Sequence, residues 1–356
     1  MYHGSTIRAS RPPCHGDDLT LPKLSLQQTL GDLPPEWPES PLPAIRSIND
    51  TRREKLVVLD DDPTGTQTVH DVPVLASWDT GTLASELSNS LPAFYVLSNT
   101  RAMHEAEACD VTAEIGRNLA EAWRRTGKRV TVVSRGDSTL RGHFPAETDA
   151  IAAATGQDSA PRVLIPFFLE GGRYTIGNVH YVADSDVLTP AGQTDFARDA
   201  TFGYESSNLA VWVQEKTGGR VPAGEVVAIT HNDIRRSGPD MVAAIAGGLA
   251  PGAVCVVNAA SMRDLEVVTL GLLKAKGAGG RFISRTAASF VRARLGQEGR
   301  ALLTKSELGI AGGGGALVIV GSHVPKTTAQ LNHLLANSAT KAVEVDVPAL
   351  LTGAKS

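Results

Sequence analysis

Residues 56–59, Leu-Val-Val-Leu, run straight into Asp60-Asp61-Asp62-Pro63-Thr64-Gly65. This junction of an apolar, strand-length run with a charged turn constrains the fold more than any other feature of the chain. A short run without polar alternation reads as a parallel strand buried on both faces. Open α/β sheets bind ligands at the carboxyl ends of their strands, so the three carboxylates fall where a site belongs. Adjacent acids raise one another's pKa unless a metal, a basic side chain or a proton relieves them. A solvated acidic turn is the plain alternative, weakened because similar polar bursts end other expected strands.

The pattern repeats along the chain. Strands are expected at 56–59, 94–97, 130–133, 163–165, 226–229 and 254–257, and Val111, Ile115, Leu119 and Trp123 recur every four residues on one face of a helix between the second and third. Strands separated by such helices predict an α/β fold with a mostly parallel, doubly wound sheet. Residues 1–53, rich in Pro and Ser, read as an extended arm with one short helix near 24–30, a disordered stretch over the first twenty residues, and Trp37 as its anchor to the body. Gly312-Gly313-Gly314-Gly315 reads as a flexible connector and puts a boundary within 300–315. The expected organisation is therefore the arm over 1–53, a first domain over 54–305, and the start of a second α/β domain over 306–356. The last of these would hold a strand at 317–320, a helix at 327–335 and a strand at 342–347. About forty residues cannot bury a core of their own.

Composition excludes several function classes. Lys+Arg 34 against Asp+Glu 38 gives a net charge of -4, which advertises no nucleic-acid surface. The 3 cysteines, Cys14, Cys109 and Cys255, match no metal or redox spacing, so a reduced, cytoplasmic setting is expected, with Cys255 in buried packing. Residues 241–260 carry no charge, but Pro251-Gly252 and Asn258 interrupt them, so helix, turn and strand fit better than a membrane span. The N-terminus lacks the apolar core of a signal peptide.

Three expected strand ends carry polar clusters: Asp60 to Gln67, then Ser98-Asn99-Thr100-Arg101, then Ser134-Arg135-Gly136-Asp137-Ser138-Thr139-Leu140-Arg141-Gly142-His143. In a doubly wound sheet these ends share one edge and can converge. Arginine forks, carboxylates and hydroxyls together suit a small, anionic, polyhydroxylated ligand. A fourth cluster, Glu170-Gly171-Gly172-Arg173-Tyr174, is a candidate to close that pocket. His70, His143 and His180 have no metal-ligand spacing, and no protein-held metal is expected, although His143 lies close enough to Arg141 to reach the pocket.

The runs DDDPTGTQ, SNTR, SRGDSTLRGHFPAETDA and PFFLEGGRYTIGNVHYV, in that order, resemble the four-carbon acid sugar kinase family over roughly residues 54–356. The resemblance implies a sugar-acid-binding N-terminal domain, a C-terminal nucleotide domain, and chemistry in the cleft between them. It implies transfer of a phosphoryl group from ATP, with Mg²⁺ bridging the phosphates, to the terminal hydroxyl of erythronate, threonate or a 3-oxo-tetronate. The substrate contacts it implies are Asp61 or Asp62, Arg101, and Arg135, Gly136, Asp137 and Ser138. Arg141 and Arg173 complete the candidate substrate-binding set. Asp62 or Asp61 would orient or deprotonate the hydroxyl, with Asp137 as a substitute, since positioning and charge stabilisation dominate phosphoryl transfer. The nucleotide contact implied is Ser322 in the Gly321-Ser322 turn, which suits a phosphate or ribose. Pro325 before Lys326 stands where a Walker motif needs glycine, so this is not a P-loop.

The chain departs from the family in three places. Arg135 stands where a lysine is common, Gly136 replaces a bulkier residue, and nothing like the family's second glycine-rich nucleotide loop follows Val347. The last departure leads to the expectation of a truncated chain that binds its sugar acid and phosphorylates it poorly. Two other readings stay open. Asp60-x-Asp62-x-Thr64 also resembles haloacid-dehalogenase-type phosphatases, with Asp60 as nucleophile and Asp62 as acid, but no convincing second acidic pair follows. The chain also reads as a non-catalytic sugar-acid-binding fragment. Partners are then the sugar acid and ATP, no nucleic acid and no membrane, with a homodimer allowed; which sugar acid is not fixed by the sequence.

Overall fold

A sheet of eight parallel strands, flanked by helices on both faces, organises the first unit of the chain. The computed structural model describes residues 21–309, 315–322 and 324–352. The first twenty residues with Cys14, and Gly312 to Gly314 of the glycine run, lie outside the described residues. Contacts divide the chain into one unit over Met1–Gly299 and another over Arg300–Ser356.

In chain order the strands of the first unit are β1 (Leu24–Ser25), β2 (Lys55–Asp60), β3 (Val74–Leu75), β4 (Ala93–Leu97), β5 (Val130–Arg135), β6 (Arg162–Ile165), β7 (Arg173–Ile176), β8 (Val179–Asp184), β9 (Val187–Pro190), β10 (Val227–Ile229), β11 (Val254–Val257) and β12 (Ile283–Thr286). The large sheet runs β10-β11-β6-β12-β5-β2-β4-β3, and a four-stranded antiparallel sheet runs β1-β9-β8-β7. The apolar runs become strands because each is buried on both sides. Leu56 and Val58 of β2 join one core, while Val57 and Leu59 join the other. The first core packs under the helices Gly238–Gly247, Met262–Gly277 and Ala288–Leu295, and the second under Thr80–Ser88, Glu105–Thr126 and Ala146–Ala154. The doubly wound α/β reading holds, and so does the amphipathic helix, which buries Ile115 and Leu119. Residues 241–260 fold as the end of a helix, a turn and β11, with Cys255 buried. Among the described residues no helix is long and apolar enough to cross a membrane.

Three expectations need correction. The arm is not extended over its described part: β1 pairs with β9, and the helices Leu26–Gly31 and Leu42–Arg52 follow. The second helix buries Ile45 against Leu270 and Leu273, and Trp37 lies on Gly238. Its prolines sit at the helix start, where no amide donor is required, and so do not prevent helix formation. Second, β12 was not foreseen. It is four residues long, ends in polar side chains, and inserts between β5 and β6. Third, in the second unit the described residues hold the helices Pro325–Asn337 and Val347–Leu351, whereas 317–320 and 342–346 form no ladder. Leu317, Ile319 and Val343 are each 85% exposed, so these apolar runs have no partner strand among the described residues to make them strands.

Candidate functional site

Asp60 ends β2 in register with Leu97 of β4 and Arg135 of β5, so three of the polar clusters leave adjacent strands at one edge. The ladder continues into the loops, where Ser98 donates its amide to Asp60 O at 2.9 Å and Arg101 donates its amide to Asp61 O at 3.1 Å. These bonds fold the turns after β2 and β4 against one another, and Asp61 donates its amide to Arg135 O at 3.3 Å to tie them to the end of β5. Arg101, on a short 3-10 turn, grips Asp61 with Nε and Nη2 and Asp62 with Nη1. Arg135 Nη1 lies 3.2 Å from Asp60 Oδ1 and donates to Asp62 Oδ1 at 2.9 Å. Arg141 Nε donates to Asp137 Oδ2 at 2.8 Å, and Asp137 also faces Arg101 at 3.9 Å.

Burial separates the three acids. Asp60 is 2% exposed and Asp61 3%, while the Asp62 side chain is 18% exposed. Burial pushes the Asp60 carboxyl up to about 7; Arg135 opposes that rise, while Asp61 and Asp62 add to it. A Cβ at residue 65 would overlap the Asp60 carboxylate, so the glycine there lets the turn close over it. Asp62 goes the other way. Burial would raise it, but Arg101, a Thr64 hydrogen bond and Arg135 together hold it below the usual range. Thr64 donates from its amide at 2.9 Å and its hydroxyl at 2.6 Å to Asp62 Oδ1. Asp137 is held at about 2, because Arg101, Arg141 and Thr139 outweigh its burial.

The structure brings Asp61, Asp62, Arg101, Arg135, Asp137 and Arg141 into one charge network. Arg173 joins at its margin, its guanidinium 5.5 Å from the centre of the Phe196 ring on which Arg141 also lies at 5.1 Å. Gly136 and Ser138 are buried beneath the network, and the Ser138 carbonyl is held by His180 Nε2 at 2.7 Å. His143 is a core residue whose Nε2 lies 3.2 Å from Thr100 O and 3.1 Å from Met103 O, so it does not reach the pocket. Gly321 and Ser322 belong to the second unit, where both are exposed; Thr327 Oγ1 donates to Ser322 Oγ at 3.1 Å at the start of Pro325–Asn337. Sequence reasoning missed Arg285 and Glu147. Arg285 sits on the unforeseen β12, and Glu147 Oε1, inside a helix, accepts from the Thr100 hydroxyl at 2.6 Å. The only sequence signal for Arg285 was a polar strand end after Phe282-Ile283, hidden behind Gly277 to Gly280.

Carboxylate oxygens of Asp60, Asp61 and Asp62 lie within 4.8 Å of one another, a hard-oxygen set of the kind Mg²⁺ accepts. Arg101 and Arg135 already compensate those charges, so the cluster stands without a cation and does not fit a resident metal as arranged.

The sugar-binding N-terminal domain family matches residues 56–294, and the nucleotide-binding C-terminal domain family matches residues 317–356. The chain belongs to the four-carbon acid sugar kinase family. A D-threonate kinase of Bordetella bronchiseptica is 33% identical over 129 residues, which cover 36% of this chain and 30% of that kinase. A solved Bordetella bronchiseptica protein, described as a domain of unknown function with bound citrate in a domain-swapped dimer, matches with a TM-score of 0.51 at 22% identity, over 68% of this chain and 56% of that one. This member of the four-carbon acid sugar kinase family thus spans little more than half the length of its solved relative.

Proposed function

We propose that the protein acts as an ATP-dependent kinase on the terminal hydroxyl of a four-carbon sugar acid such as erythronate, threonate or a 3-oxo-tetronate. The observation that carries this reading is the convergence of Asp60 to Asp62, Arg101, Arg135 and Asp137 at the ends of three adjacent parallel strands. Such a surface binds an anion with hydroxyl groups, and the family's sugar-binding domain covers it. The citrate of the Bordetella relative, a hydroxy acid in that protein, is consistent in chemistry.

Within the reading, Asp62 orients the attacking hydroxyl and accepts its proton. It is the most exposed of the three acids and is held ionised by Arg101, Thr64 and Arg135. Modest basicity suffices, because the γ-phosphoryl group leaves through a loose transition state and catalysis is mainly positioning. ATP, held on the side of Gly321 and Ser322, supplies the phosphoryl group, and Mg²⁺ accompanies its phosphates and offsets their charge. The match of residues 317–356 to the nucleotide-binding domain supports that side. A phosphatase mechanism finds no support, since Asp60, its required nucleophile, is sealed under Gly65 and bound to Arg135. A dimer and a cytoplasmic setting belong to the proposal as well.

The test is calorimetric titration of D-erythronate, D-threonate, L-threonate and a 3-oxo-tetronate, followed by an ADP-release assay with ATP and Mg²⁺. Heat with at least one acid and acid-dependent ADP release are expected. Folded protein that binds none of them would overturn the assignment.

A further inference from the structure

Of the four arginines marked by the sequence, Arg101, Arg135 and Arg141 are already paired with carboxylates, while Arg173 lies at the margin, donating to Gly171 O of its own loop and facing the Phe196 ring. Arg101 is engaged by Asp61 and Asp62, Arg135 by Asp60 and Asp62, and Arg141 by Asp137. Arg285 differs. It lies at the end of β12, in register with Ser134 of β5, and is 7% exposed. Among the described residues it makes no ion pair with a carboxylate; its Nη2 donates to the Arg141 carbonyl at 2.8 Å, and its buried Nη1 has no hydrogen-bond partner. The charge of Glu147 acts on it only from beyond contact. Arg285 and Asp137 both line a cavity of about 20 Å³, roughly room for one water-sized group, whose other walls are mostly apolar, among them Leu140, Leu164 and Trp212. A Cβ at Gly136 would overlap the Arg285 guanidinium, so the glycine there leaves Arg285 the space it occupies.

We infer that Arg285 anchors the carboxylate of the substrate, with Gly136 as the clearance that admits it. A buried guanidinium with an unpaired donor is costly, and an incoming carboxylate satisfies both donor and charge. The aspartate-bound arginines then orient Asp61 and Asp62 toward hydroxyls instead of gripping the acid group. The inference rests on the sugar-acid reading.

Its test compares the full chain with its Arg285→Gln and Arg285→Lys variants by calorimetry against D-threonate, citrate and the uncharged tetritol threitol, with circular dichroism to confirm folding. Arg285→Gln is expected to weaken carboxylate binding on the order of 10- to 100-fold while leaving the weak threitol interaction unchanged, and Arg285→Lys to recover part of the loss. Gly136→Ala, which displaces the guanidinium, is expected to lower carboxylate affinity in the same direction. Tetronate binding that is undiminished in Arg285→Gln, or a loss shared equally with threitol, overturns the inference and leaves the sugar-acid reading intact. If citrate binds in an Arg285-dependent manner and no tetronate does, the sugar-acid reading falls and the anchor stands. If no carboxylate binds the unmodified chain, both fall.

Discussion

Asp60, Asp61 and Asp62 are consecutive in sequence and unlike in environment, and substitution should separate them. Asp62→Asn is expected to abolish acid-dependent ADP release with the melting temperature within a few degrees of the original, because the change keeps shape and removes charge at the most exposed of the three. Asp61→Asn, at a 3% exposed position against Arg101, should instead destabilise the fold by ~3 kcal/mol, read from denaturant midpoints. Asp60 carries a pH signature. Its folded pKa of about 7 lies above the ordinary 3.8, so the folded state holds the extra proton between those values, and stability from this group falls as pH rises through that window. Asp137, held at about 2, does the reverse: its contribution is complete above the ordinary value of 3.8 and fades as pH falls toward 2. Denaturation curves from pH 3 to 8 should show the Asp60 loss, on the order of a few kcal/mol, and Asp60→Asn should remove it. The acids and the arginines beside them were legible in sequence because strand-end motifs announce charge. Their pairing was not, since which guanidinium meets which carboxylate depends on neighbouring strands that are far apart along the chain.

At the scale of elements, legibility followed hydrophobic contrast. β2, β4, β5, β6, β10 and β11 are apolar runs with clear ends, and each was readable. β12 offers Ile-Ser-Arg-Thr, two of whose side chains are hydroxyls and one a guanidinium, and its burial comes from the strands on either side. The helix Leu42–Arg52 was hidden by its Pro-rich surroundings, though Pro43 sits in the first turn, where proline is tolerated. Ile45→Ala tests whether this helix is integral. The side chain is fully buried with Leu270 and Leu273, so a loss of ~2–4 kcal/mol is expected in urea denaturation, against almost none for an extended arm.

For the whole molecule, the first unit has its own cores, while the described part of the second leaves Leu317, Ile319 and Val343 each 85% exposed. Limited proteolysis is therefore expected to cut first within the exposed stretches 300–309 and 315–322 and to leave a product near Gly299 that, on the proposed reading, still binds the sugar acid; early cleavage inside the β2 to β12 region would contradict this. The sheet order has a consequence for biosynthesis. β12 is the last strand of the large sheet to leave the ribosome, yet it is the strand that joins β6 to β5. Until residue 286 emerges, the nascent chain holds two half-sheets, each with a bare, aliphatic flank, β5 on one and β6 on the other, that offers unpaired amides and carbonyls to other chains. A translational pause just before β12 would therefore favour aggregation, and a pause just after it would not. Because the same four residues deliver Arg285, sealing the sheet and arming the site are a single, late event in the life of the chain.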